Sequence, residues 1–203
     1  MTNVYYIPLG RNCLTSGNLK EMKLRNCALP FDWILMKPSL KGFSCINQLI
    51  ESNFNNFTDN LEYNDGKKVF SRNYPNLLFF HHDLIKYEEY KNKFNNRAAR
   101  FMDIINNTEN KCKFVYNISK LNYDNVEEMK EFKKDIYIFL QIMKNKCAVV
   151  LNIIVDHTND FELTLYEFLN DLQNVNVYFH KFIIDHKIHN IYGDCKKYIE
   201  LIK

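Results

Sequence analysis

Short apolar runs at residues 4–9, 76–80, 113–118, 147–155 and 175–184 alternate with stretches of helical periodicity, and that alternation restricts the fold more than any other feature. A parallel neighbour is reached only by a long crossover, so strands spaced this way suit an α/β chain whose sheet is at least partly parallel. The run at 147–155 is apolar on both sides of its pleat except at Asn152, as a central strand covered on both faces requires. Helices are predicted over 14–23, 39–51, 87–106, 125–144 and 161–172, with a short terminal one around Tyr198, Leu201 and Ile202. The fourth repeats most cleanly, with Met129, Phe132, Ile136, Phe139, Leu140 and Met143 on one face. Residues 53–74 are polar, carry the turn signal Asn64-Asp65-Gly66, and are expected to form a long surface loop or hairpin near the site. No linker, repeat or charge block marks a boundary, so the 203 residues read as a single α/β domain with a central sheet flanked by helices.

The first strand ends in Gly10, and Cys13 follows at the start of a helical pattern made by Cys13, Leu14, Gly17, Asn18, Glu21 and Met22. A thiol there meets the positive end of a helix dipole and the unpaired N–H groups of its first turn, which favour the thiolate, the nucleophilic form. The segment Phe79-Phe80-His81-His82-Asp83 closes another apolar run and offers imidazoles as bases. Such a pair points to a cysteine-nucleophile enzyme.

Composition narrows the alternatives. A formal net charge of +3 supplies no concentrated basic stripe, so no nucleic-acid partner is expected. No apolar run reaches membrane-spanning length and the N-terminus lacks a signal-peptide pattern, so no membrane partner is expected and a cytoplasmic location is. The six cysteines show neither C-x-x-C nor zinc-ligand spacing and are read as free thiols; no metal and no cofactor are expected. The excess of Asn, Lys, Ile, Tyr and Phe is the signature of an AT-rich genome, so Asn-rich patches such as Asn53-Phe54-Asn55-Asn56 are discounted. Arginine is confined to Arg11, Arg25, Arg72, Arg97 and Arg100, against that same bias.

The strings Leu9-Gly10-Arg11-Asn12-Cys13, Leu24-Arg25 and Pro30-Phe31-Asp32-Trp33-Ile34, followed by His82-Asp83 and the helix segment Arg97-Ala98-Ala99-Arg100-Phe101, carry a family likeness. They resemble a family of bacterial and large-DNA-virus proteins described as papain-like cysteine peptidases. Beyond about Tyr123 the likeness is general, apart from Tyr192-Gly193-Asp194. The resemblance implies a papain-like hydrolase domain in which Cys13 attacks an amide or related acyl bond and His82 serves as base and then acid. His81, one residue earlier, would face the other way along a strand and is the alternative base. In a papain-like sheet the residue orienting the histidine sits on a neighbouring strand. Asn117, which interrupts Phe114, Val115, Tyr116 and Ile118, is one candidate for it and Asp32 is another.

The N–H groups from Asn12 to Leu14 are the expected oxyanion donors, since developing negative charge is best stabilised at a helix N-terminus. Arg97 and Arg100 share a helix face and suit a carboxylate or phosphate on the substrate, or alternatively an internal salt bridge. The partner is then a peptide, protein or small-molecule substrate, with the oligomeric state open. Two other functions stay in play: an acyl- or glycan-modifying transferase on the same scaffold, and a non-catalytic binding protein that keeps the fold.

Overall fold

The computed structural model describes residues 2–10, 13–118, 126–156, 168–180 and 200–202. Two four-stranded sheets organise these residues. The first is parallel and takes the order β1 (Val4–Pro8), β6 (Lys111–Ile118), β7 (Ala148–Asp156), β8 (Val175–His180). The second is antiparallel, in the order β2 (Leu35–Met36), β5 (Leu77–Phe79), β4 (Val69–Ser71), β3 (Leu61–Tyr63). Its strands lie in sequence between β1 and β6, together with helices α1 (Cys13–Glu21), α2 (Gly42–Glu51) and α3 (Glu88–Ile105). Helix α4 (Val126–Lys144) makes the crossover from β6 to β7. The mixed α/β architecture expected from the alternation is thus present, with β7 between two neighbours as its apolar character requires. The edge position of β1 accommodates Pro8, which has no N–H for a ladder.

Pleat alternation sorts the parallel sheet into two faces. Phe114, Tyr116, Leu151 and Ile153 pack into the main core with α2 and α4, where Phe43 meets Tyr116 at 4.7 Å between ring centroids and Phe114 meets Phe139 at 5.1 Å. On the other face Val115 and Ile154 pack with Leu19 of α1 and with Ile202. Helix α1 is unusual in burying polar residues, with Thr15, Ser16 and Asn18 all fully covered. Buried polar side chains are the informative exception to ordinary packing, and they direct attention to this face.

The segment 53–74 contains the expected hairpin, β3–β4, closed by Lys67 N–H to the Asn64 carbonyl at 2.8 Å. It is more than a surface loop, however, because Phe54 and Phe57 are buried. The asparagines set aside as compositional noise have a conformational use: Asn53, Asn56 and Asn60 adopt positive φ, which Asn tolerates better than most residues. The predicted strand 175–184 is observed as far as His180. Its remainder and the predicted helix at 161–167 lie outside the described residues.

Candidate active site at the carboxyl edge of the parallel sheet

Gly10 turns the chain off β1 at φ +80°, and its missing Cβ matters twice. That backbone conformation disfavours a side chain, and a Cβ there would stand 3.3 Å from both Ile34 Cγ1 and Met36 Cε. Ile34 and Met36 are thereby seated directly against Gly10. Cys13 is the first residue of α1 and is half-buried. Burial pushes its thiol up, and only its own backbone N–H pulls it back down. The thiolate expected from the helix dipole is therefore outweighed by desolvation. Asn12 lies outside the described residues, so the expected oxyanion donors are seen only from Cys13 onward.

Asn117 sits two residues beyond Val115, which pairs with Pro8 at the end of β1. It shares the α1 face with Val115 and so lies at the carboxyl edge of the sheet, where parallel α/β proteins place their ligand crevices. Its side chain is fully buried, yet neither its Nδ2 nor its Oδ1 has a hydrogen-bond partner. A wholly unsatisfied buried amide is costly, and such an exception calls for a reason.

Asp32 is a hub. Its carboxylate accepts from Arg25 Nη1 at 2.8 Å, from the Leu29 backbone N–H at 3.0 Å and from Ser16 Oγ at 3.2 Å. It is fully buried, and burial raises its pKa against the pull of Arg25 and these donors. The contacts tie α1 to the Pro-Phe-Asp-Trp turn; no histidine is among them. Ser16 lies one turn from Cys13 on α1, which puts the hub beside the thiol.

His81 and His82 follow β5 in a turn. His81 is exposed, edge-on to Trp33 at 5.7 Å and to Phe80 at 5.1 Å. His82 is half-buried, edge-on to Tyr90 at 5.0 Å and to Phe94 at 5.4 Å, with its Nδ1 buried and unpartnered. Burial and then the Arg97 charge hold its imidazole below the usual range, so it is neutral at pH 7. Arg97 is half-buried with its guanidinium 5.0 Å from the Phe94 centroid, and it feels Asp32, Arg25 and Arg100. Arg100 is exposed and donates to the Ala28 carbonyl at 2.8 Å. Arg97 thus links His82 to the neighbourhood of Asp32, Arg25 and Arg100, of which Asp32 contacts α1. No hydrogen bond joins Cys13 to either histidine.

Two members of this neighbourhood were not singled out from the sequence. Ser16 carried no signal. Arg25 was visible within Leu24-Arg25, but its partner was not. Cys27 lies beside Arg100 and Asp32; burial raises its thiol while Arg100 pulls it down. Among the described residues no group of three or more His, Cys, Asp or Glu side chains is placed to hold a metal ion. Among them too, no helix is long and apolar enough to cross a membrane.

A sequence profile described as "Putative papain-like cysteine peptidase (DUF1796)" matches residues 4–153, which include every candidate site residue named above. No curated protein and no solved structure matches the chain.

Proposed function

The chain belongs to that papain-like cysteine peptidase family, and from this premise we propose that it is a thiol-dependent hydrolase of an amide or related acyl bond. One observation carries the reading. Cys13 opens α1 at the carboxyl edge of the parallel sheet, where Asn117 is held buried on the same face with its amide unpartnered. In this reading Cys13 Sγ attacks the acyl carbon while His82 accepts the thiol proton. The neutral imidazole suits that task, because it has a vacant nitrogen at pH 7. His82 then returns the proton to the departing amine, leaving a thioester that water cleaves with the imidazole again as base. Backbone N–H groups of the first turn of α1 face the developing oxyanion. Asn117 supplies a polar anchor beside the turn, and Asp32 holds α1 and the Pro-Phe-Asp-Trp segment in register.

A non-catalytic binding protein is the second reading, favoured by the raised thiol and by the lack of a Cys13–histidine hydrogen bond. A panel of peptide aldehydes and vinyl sulfones separates the two when adducts are mapped by mass spectrometry. The hydrolase reading expects an adduct at Cys13, absent in Cys13→Ser and formed about 10²–10⁴-fold more slowly in His82→Ala. Labelling confined to Cys27, or equal across the thiols, overturns it.

A further inference from the structure

Arg97 and His82 present an unusual coincidence. Both pack on the Phe94 ring, the guanidinium 5.0 Å and the imidazole 5.4 Å from it. Each also has a buried nitrogen with no hydrogen-bond partner, Nη1 in Arg97 and Nδ1 in His82. An unpaired N–H on a desolvated nitrogen is costly, because it forfeits hydration with nothing in return. The local charge does not repair it. Arg97 faces Arg25 and Arg100 as like charges and Asp32 as the opposite one, and the Asp32 oxygens already accept from Arg25, Ser16 and the Leu29 N–H. The surface next to His82 is basic as well. A cavity of about 180 Å³ is lined by His81 and His82 together with Lys67 and Lys68. Its acidic member, Asp83, is engaged by the Tyr63 hydroxyl at 2.9 Å and by the Lys86 N–H at 2.9 Å.

We propose that Arg97 and His82 form an oxyanion subsite that takes a carboxylate or phosphate group of the substrate. A guanidinium presents two parallel N–H groups to such an anion, and Arg97 Nη1 is already desolvated and aligned by Phe94. The His82 nitrogen supplies a second contact to another oxygen of the same group. Arg100, on the same face of α3 but exposed, guides the anion inward rather than gripping it. Calling that anion part of a substrate rests on Cys13 being the reaction centre; the anion site itself does not.

The test uses inorganic phosphate and acetate as probes, each compared with NaCl at matched ionic strength. Titrations of the full chain are followed by the NMR shifts of the His82 ring and the Arg97 side chain, and by thermal melting. Saturable shifts at millimolar probe are expected, with melting raised by several degrees. Phosphate alone or acetate alone producing them identifies which oxyanion the site takes, and both outcomes support it. Arg97→Gln should weaken binding at least tenfold. Arg97→Lys keeps the charge without the fork, is the milder change for the fold, and should weaken it about fivefold. Shifts no larger than those with NaCl overturn the proposal, as does unchanged affinity in both Arg97 variants. Cys13→Ser should bind the probes normally. Binding that survives there without any thiol chemistry in the parent chain sinks the hydrolase reading and leaves the subsite standing.

Discussion

A thiol on the first residue of a helix gains from the free N–H groups of that turn, and Cys13 receives such help from its own backbone N–H. Half-burial works against it and is the larger effect. His82 is displaced the other way, since burial and Arg97 both disfavour its cation. Each shift favours a neutral form, so Cys13 rests as a thiol and His82 as an imidazole. The consequence is measurable. A thiol held above the ordinary value of about 8.5 carries less thiolate at neutral pH than a free cysteine does. Iodoacetamide should therefore label Cys13 more slowly than an unstructured thiol at about pH 7, the rate climbing about tenfold per pH unit to beyond about pH 9. Cys45, buried and pushed up to about 12, is an internal control that should stay unlabelled in the folded protein. Fast labelling of Cys13 in mildly acidic buffer would show that something else stabilises the thiolate.

Helix α2 meets the parallel sheet through one tight approach. A Cβ on Gly42 would overlap the hydroxyl of Tyr116, itself fully buried on β6 and stacked on Phe43 at 4.7 Å. Gly42→Ala must therefore displace a ring that has no free space, and should cost about 1–3 kcal/mol in chemical denaturation, the range of an overpacked core. No measurable loss would mean that the ring relaxes freely. Tyr116 and Asn117 are adjacent on β6, so movement of the ring is also felt at the carboxyl edge of the sheet. The longer elements were legible in the sequence, the helices by the period of their buried face and the strands as short apolar runs: β1, β6, β7, α3 and α4 fall within a few residues of their expected limits. β2 has two residues and β3 three, too short for a period to show. The site was legible only in part, for a related reason. Cys13 stands out through its local setting, a glycine turn and a helix start. The Asp32 hub depends on Ser16, sixteen residues away, and on Arg25, and no local pattern reports such a pairing.

Across the whole molecule the two sheets share one apolar interior whose aromatic rings fall into two connected groups. Phe43, Tyr116, Phe132 and Phe139 join α2 and α4 to the parallel sheet. Phe31, Phe54, Phe57, Phe79, Phe94 and Phe101 join the Pro-Phe-Asp-Trp turn, the antiparallel sheet and α3. Phe54 is the linking ring of the second group, 5.6 Å from Phe31, 5.2 Å from Phe57 and 5.6 Å from Phe101. It is held there at a positive φ that a bulky residue adopts only when its surroundings insist. Phe54→Ala removes the ring from all three neighbours and should lower stability by about 3–5 kcal/mol. Trp33 offers a probe of the Pro-Phe-Asp-Trp turn and the end of β5, since it is the only tryptophan, follows Asp32 directly and meets His81 edge-on. Far-UV circular dichroism reports on every helix and strand, α3 included. If the interior is continuous, both signals should be lost at the same urea concentration in the parent chain and should shift together in Phe54→Ala. An early loss of the Trp33 signal, with the far-UV signal falling in two steps of which Phe54→Ala shifts only the first, would mean that the antiparallel sheet and α3 unfold by themselves. The proposed subsite on α3 would then belong to a locally unstable unit, able to open without disturbing the parallel sheet.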